Sequence, residues 1–217
     1  MMSQTHILMA AALFARPGRP RQNAALVAGA FAPDAAIYGL FLWSKLAGIP
    51  ERTLWREIYF AEPMLTLTAI GNSLPLYAGF LALGITLISL RTANGGEALP
   101  LGDTPTPLEN TWQAVRNSAI AMFALGAIVH LAGDFPVHAA DAHPHFWPLS
   151  DWRFQSPVSY WDRNYYGDTF AFFEMLLGVA LAVIVFRRFK ALWVRALCAL
   201  AICAYVGVPL YFTLMLG

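Results

Sequence analysis

His130 and Asp134 stand in the run HLAGD with three residues between them. That spacing puts an imidazole and a carboxylate on one face of a helix, where both can reach one cation. Pro136 then ends the helix, and His138, Asp141, His143 and His145 follow in a run from which further ligands can be drawn. Residues 130 to 154, HLAGDFPVHAADAHPHFWPLSDWRF, carry four of the chain's five histidines, interleaved with three acidic side chains and three prolines. Imidazole and carboxylate without thiolate suit zinc, with manganese or iron as alternatives. A lone H-x-x-x-D is common, but so many imidazoles beside acids in apolar sequence make a divalent-metal site the expectation. The competing reading is a solvated loop whose rings bond water and headgroups. It accounts for His143 and His145 but leaves Asp34 unexplained.

Other polar groups stand where lipid should exclude them. The chain of 217 residues is 58% hydrophobic and 12% charged, well off the soluble norm. Apolar stretches at 24–48, 64–90, 113–132, 169–186 and 191–216 are each near or above the ~18 to 20 residues that cross a bilayer as helix. Asp34 sits inside the first, next to Pro33, and Glu174 inside the fourth. Asn72 and Ser73 interrupt the second, and His6 begins a shorter apolar piece at 7–15 that cannot span and reads as a half-helix packed in the bundle. Ionisable groups at such positions are functional candidates, and their natural partners are one another.

These groups have to be brought to one place by the helices that carry them. His6 lies ten residues before Arg16, and Asp34 thirteen after Arg21. At ~1.5 Å per residue both stand roughly 15 to 20 Å above the loop between them and can meet. Measured from Asn110, His130 and Asp134 come twenty or more residues up their helix, which predicts a different depth for the second pair.

The expected fold is all-α: a polytopic integral membrane bundle of about five transmembrane helices plus a short N-terminal helical segment, forming a single domain over residues 1–217. The loop at 16–23 and residues 91, 116, 187, 188, 190 and 195 collect arginine and lysine on one face. That face is taken as cytoplasmic and places the histidine-rich run on the periplasmic side of a bacterial inner membrane. PERTLWREIYF, 50–60, reads as an interfacial helix, and residues 92–111 as a polar loop. Residues 132–167 read as an extramembrane lid rich in histidine and aromatic rings, with Asp168 as N-cap of the following span. ILMAAALFA lacks the preceding cations of a signal peptide and is expected to stay attached. Cys198 and Cys203 show no metal or redox spacing, and a net charge of +1 gives no stripe for nucleic acid.

THILMA near the start, PD opening a helix, NS in the next apolar segment, then IVHLAGDF and FWPLSDWRF resemble the bacterial family of LexA-regulated inner-membrane metal-dependent hydrolases. The resemblance covers most of residues 5 to 155. It implies metal-site roles for His6, Asp34, His130 and Asp134, and puts Trp147, Trp152 and Arg153 in the segment that caps the motif. Where that family has T-H-S, this chain has GNS, so Asn72 stands where an imidazole is expected. Asparagine is the poorer zinc ligand; that position is then weakened, supplied from His138, His143 or His145, or lost. More distantly, the order of motifs is similar to the zinc-dependent phospholipase C and nuclease superfamily, which cleaves phosphoesters.

Together these features point to metal-dependent hydrolysis of a lipid or lipid-linked ester, most often a phosphoester in such families, with membrane lipid as partner. A divalent ion would acidify water and polarise a phosphoryl or acyl oxygen. Asp134 would bind at the reacting centre, Glu174 would orient the water or take its proton, and Arg153 would pair with phosphate. Two other classes fit the same residues: a non-catalytic membrane subunit or assembly factor with a degenerate metal site, and a metal or proton transporter using Asp34 and Glu174.

Overall fold

A computed structural model describes residues 1–94 and 106–216, with side chains through Val208. Among the described residues every regular element is helical. The main helices are α1 (Ser3–Phe14), α2 (Pro20–Phe31), α3 (Ala35–Leu46), α4 (Glu51–Thr53), α5 (Met64–Gly71), α6 (Leu74–Ala93), α7 (Pro107–Asn117), α8 (Ala119–Asp134), α9 (Gly167–Arg188) and α10 (Leu192–Leu216). Their limits follow from local chemistry. Pro20 opens α2 at the position where a missing N–H costs nothing. Thr106 and Glu109 form a reciprocal capping box on α7. Ser73 caps α6 and Ser118 caps α8, each hydroxyl accepting from a backbone N–H three residues on.

Three helices are long and apolar enough to cross a membrane: Pro20–Leu46, Leu74–Ala93 and Gly167–Arg188. The pair α7 and α8 makes a fourth if taken as one bent span. These account for four of the five expected stretches, and two of those four break. The second stretch divides at Asn72 and Ser73 into α5 and α6, and the third turns by 95° between α7 and α8. α10 is helical over 25 residues, but its described side chains stop at Val208, so it stands outside this count. The first stretch continues through a 3-10 turn at Ala32–Asp34, where Pro33 removes a helical donor. Leu83, Leu87 and Leu90 on α6, and Phe172, Phe173 and Leu176 on α9, are exposed, faces that suit a hydrocarbon surround.

α1 is the buried element at the centre. It packs against α2, α8 and α9, and its Ala10, Ala11 and Ala12 join Leu26, Ala30, Met122 and Ala182 in the core. The tightest crossing is between α2 and α8. A Cβ on Gly29 would lie 1.8 Å from the carbonyl oxygen of Phe123, and one on Gly126 would lie 2.1 Å from that of Leu26. Only glycine at both positions lets the two backbones touch.

The bend at Ser118 corrects the depth expected for His130. α8 starts at Ala119, not near Asn110, so His130 is eleven residues along it, roughly 16 Å at helical rise. That is level with His6 and Asp34. Segment 50–60 is helical, as α4 followed by a single π turn at Leu54–Ile58 that buries Leu54 and exposes Trp55. Of the loop expected at 92–111, residues 95–105 lie outside the described residues, and α7 already starts at Pro107. Residues 135–166 are irregular apart from one 3-10 turn at Arg163–Tyr165. α9 begins two residues earlier than the Asp168 cap requires. Tyr166, at φ 62°, precedes it, and Asp168 stands inside the first turn, paired with Arg163 at 3.3 Å.

Candidate metal centre

Asp134 ends α8 with its carboxylate facing back into the bundle, and nitrogen atoms gather around it. Nε2 of His6 lies 2.9 Å from Oδ1 and Nε2 of His130 lies 3.0 Å from Oδ2. Nε2 of His138, one turn beyond on the lid, is 3.4 Å from Oδ1, and the main-chain nitrogen of Met1 is 2.5 Å from the same oxygen. His6, His130 and Asp134 each offer one ligand atom within 4.8 Å of the others, and both imidazoles are wholly buried. Gly133 makes this approach possible, because a Cβ there would meet the His6 ring at 3.0 Å.

Asp34 completes the cluster from the 3-10 turn between α2 and α3. Its Oδ1 is 3.6 Å from Nε2 of His130, and its Oδ2 accepts a hydrogen bond from Ser3 Oγ at 2.5 Å. Ser3 stands one turn before His6 on the same face of α1, and sequence reading passed over it. The i, i+3 spacing with His6 is the signal that would have found it.

The tautomer of His130 is set by geometry. Its Nδ1 lies 2.7 Å from the carbonyl oxygen of Ala30, which can only accept, so Nδ1 carries a proton. That leaves Nε2 as the ring atom turned toward carboxylate oxygens of Asp134 and Asp34. The Met1 nitrogen and His138 place positive charge on Asp134 Oδ1, and a cation among His130 Nε2, Asp134 Oδ2 and Asp34 Oδ1 would serve the remaining acceptors. A second proton on each ring is a poor remedy, because the rings of His6 and His130 stack with centroids 3.7 Å apart and two imidazolium charges would face each other. His6 Nδ1 is also buried without a hydrogen-bond partner. A ring nitrogen bonded to a main-chain carbonyl while the other faces carboxylates is the usual outer-shell arrangement of a metal-binding histidine. The donor set of two imidazoles and two carboxylates fits zinc.

The pattern of the zinc-dependent phospholipase C family matches residues 5–175. The chain belongs to that family. No curated protein and no solved structure matches it. For this zinc-dependent phospholipase C family member a divalent metal, zinc first, is therefore supported both by the family and by the His6, His130 and Asp134 cluster.

The remaining lid residues are brought close without converging on one point. His138, His143 and His145 are buried, so this is not a solvated loop. Adjacent ring centroids are 5.2 and 6.2 Å apart, yet the three do not join the ligand-distance group found among the described residues. Burial works against charge on His138, but the Asp134 and Asp141 carboxylates outweigh it and push its pKa up to about 9. Asp141 is also held by the indole N–H of Trp161 at 2.9 Å. Burial opposes ionisation of Asp141 too, yet His138 beside it brings its carboxyl down to about 2. Burial, reinforced by the charge on His138, lowers His143 to about 3 and keeps it neutral.

Asn72 is buried at the end of α5, which packs against Pro33. Its side-chain Nδ2 donates to Thr68, its Oδ1 has no partner, and its main-chain oxygen faces Nδ1 of His145 at 3.2 Å. The lid thus delivers an imidazole beside the position where GNS replaces T-H-S. Leu74 N donates to His145 O at 2.8 Å and Ser73 Oγ to Trp147 O at 2.5 Å, clamping the lid to the junction of α5 and α6. Glu174 is buried on α9 and accepts from the main-chain N–H of Met2 at 2.7 Å, near the cluster but outside it. Arg153 is exposed, with one guanidinium nitrogen donating to Ala142 O at 3.1 Å, so its first engagement is with the lid backbone.

Proposed function

We propose that this chain is a membrane-embedded, zinc-dependent hydrolase acting on a phospholipid or lipid-linked phosphoester at the face of the bundle covered by the lid. The observation that carries the reading is His130, whose Nδ1–H is committed to Ala30 while Nε2 faces two carboxylates. Family membership supplies the lipid phosphoester as substrate class. The order of the short motifs favours the LexA-regulated inner-membrane branch, and the arginine and lysine collected at the other end favour a lid on the periplasmic side.

Bound among His6, Asp34, His130 and Asp134, zinc would supply Lewis acidity toward a phosphoryl oxygen and acidity to a water. The chain's own groups do the rest. Ala30 and Ser3 hold His130 and Asp34 in orientation. Asn72 Oδ1, buried and unpartnered, and His138, with its carboxylate neighbours, are placed to bind polar atoms entering the site. Glu174 is the reserve carboxylate for a proton, and Arg153, on the rim, is the cation a departing phosphoryl group would meet. Exposed Trp152, Trp161 and Leu149 make the lid an apolar shelf for the glycerol and acyl portions. In the reaction a water oxygen bonds to phosphorus, the phosphorus–oxygen bond to the lipid alcohol breaks, and the alcohol takes a proton.

The decisive experiment is zinc stoichiometry and turnover measured on one preparation. Wild-type protein should hold zinc and release phosphorylated headgroup from a phospholipid panel, and Asp134→Ala should do neither. Folded wild-type protein that binds no zinc would refute the reading. Asn72 favours one other reading, a non-catalytic membrane subunit that keeps the metal for structure. Zinc bound without turnover across the panel would establish that instead.

A further inference from the structure

The end of the bundle away from the metal centre carries a second polar feature that hydrolysis does not use. Arg16 and Arg19 from the turn between α1 and α2, and Arg116 from the end of α7, line a shallow pocket with Gln22, Asn23 and Phe14. Two separate parts of the fold therefore bring three guanidinium groups to one place. Arg188, at the end of α9, stands beside them and donates to the carbonyls of Ala11 and Ala15 at 3.1 Å each. No acid balances this charge among the described residues, whose lysine and arginine ion pairs are Lys45–Glu51 and Arg163–Asp168, both elsewhere.

The pocket is built rather than incidental. Asn23 closes the turn, with Oδ1 accepting from Arg16 N at 3.0 Å and Nδ2 donating to Arg16 O at 2.7 Å. Arg19 donates to Asn117 Oδ1, which ties α2 to the end of α7. α2 starts beside this pocket with no capping side chain, which leaves first-turn N–H groups and the positive dipole end of the helix unneutralised there. Clustered guanidinium groups over an uncapped helix start match the oxygens of a phosphate.

The apolar surroundings identify its source. α7 lies across the bundle end at 95° to α8, exposing Leu108 and Trp112, and Trp112 packs on Phe14 at 5.8 Å. That is the arrangement of an interfacial helix with an indole at headgroup level. We propose that Arg16, Arg19 and Arg116 form a binding site for the phosphodiester of an anionic phospholipid, seated at the membrane face opposite the metal centre, with its chains along Leu108 and Trp112. Asp34 stands thirteen residues along from Arg21, roughly 20 Å at helical rise, so this lipid is not the substrate in the metal site. The proposal rests on the bundle being membrane-embedded, and not on its being a hydrolase.

The test is binding, not turnover. Full-length protein in uncharged detergent is titrated with a short-chain phosphatidylglycerol and, separately, with inorganic phosphate. Wild type should bind the lipid, and R16Q/R116Q should weaken it tenfold or more at unchanged zinc content and melting temperature. R187Q/K190Q, which removes the same charge from exposed positions at the same end, should change it less than twofold. Unchanged binding in R16Q/R116Q, or equal loss in both double variants, would overturn the site. Inorganic phosphate binding as tightly as the lipid would overturn the lipid as its ligand. Should R16Q/R116Q not fold, R116K keeps the charge but removes the planar fork, and a loss of at least threefold is expected; no loss would overturn the proposal.

Discussion

Substituting Gly126 by alanine tests how the site is held together, because the change is one methyl group and touches no ligand. The new Cβ would stand 2.1 Å from Leu26 O and 2.8 Å from Ala30 N, both backbone atoms that cannot swing away. An ordinary carbon–oxygen contact needs about 3.3 Å, so α8 must move off α2 by roughly 1 Å. His130 lies one turn along the same face, and its 2.7 Å bond to Ala30 O would lengthen to a distance at which no hydrogen bond remains. Overpacking costs about 1–3 kcal/mol, and leaving the buried carbonyl without its donor about 1–3 more. Gly126→Ala should therefore lose about 2–6 kcal/mol of stability and 10- to 100-fold in zinc affinity, the range typical of damaged outer-shell support. Denaturant unfolding of metal-free protein measures the first and a competitive zinc titration the second. Gly39→Ala and Gly79→Ala, where an added Cβ meets nothing within 4 Å, serve as controls and should be neutral or slightly stabilising. Wild-type stability and zinc affinity in Gly126→Ala would show that the contact between α2 and α8 does not position His130.

Other expectations follow from single contacts. His130→Ala should lower zinc content to background in elemental analysis, because on the proposed reading the ring would supply a ligand and its loss would leave two acids facing each other. Ser3→Ala removes the donor to Asp34 Oδ2 and should reduce zinc affinity about tenfold with little change in melting temperature, read by competitive chelation. Ser73→Ala deletes both the α6 cap and the bond to Trp147 O, and should cost about 1–2 kcal/mol. Amide exchange in residues 145–150 should quicken in that variant while α8 keeps its protection. Trp161→Phe releases Asp141 from its indole donor and should loosen the lid without removing zinc, a separation that elemental analysis and amide exchange resolve together.

Much of the centre was legible because metal ligands are constrained in type and spacing. His6, Asp34, His130 and Asp134 were all singled out, and the structure gathers all four. The depth mismatch expected between the two pairs came from treating residues 110–134 as one helix. Hydropathy does not register a bend of 95°, and Ser118 signals one only as a cap read in place. The same limitation hides breaks inside apolar runs: 64–90 and 113–132 look continuous, whereas polar Asn72, Ser73 and Ser118 divide them into separate helices. The lid histidines were legible as chemistry, whereas the burial that rules out a solvated loop was not, because it comes from how the lid packs on Asp134 and on the junction of α5 and α6. Ser3 and Gly133 carry no composition signal at all. Their importance lies in distances of 2.5 and 3.0 Å that exist only after α1 has docked on the 3-10 turn at Asp34 and on α8.

The extended backbone at Ser118, φ −90° and ψ 120°, also separates two kinds of tolerance to change in chain length. One residue added within α8 ahead of His130 turns that ring by about 100° about the helix axis, away from Asp34 and out of reach of Ala30. One residue added within α7 turns only the interfacial segment on its own axis, since the corner at Ser118 does not transmit rotation. Length variation among relatives of this chain should accordingly gather before the corner and vanish after it, and a fusion partner or tag grafted into α7 should leave the metal centre intact.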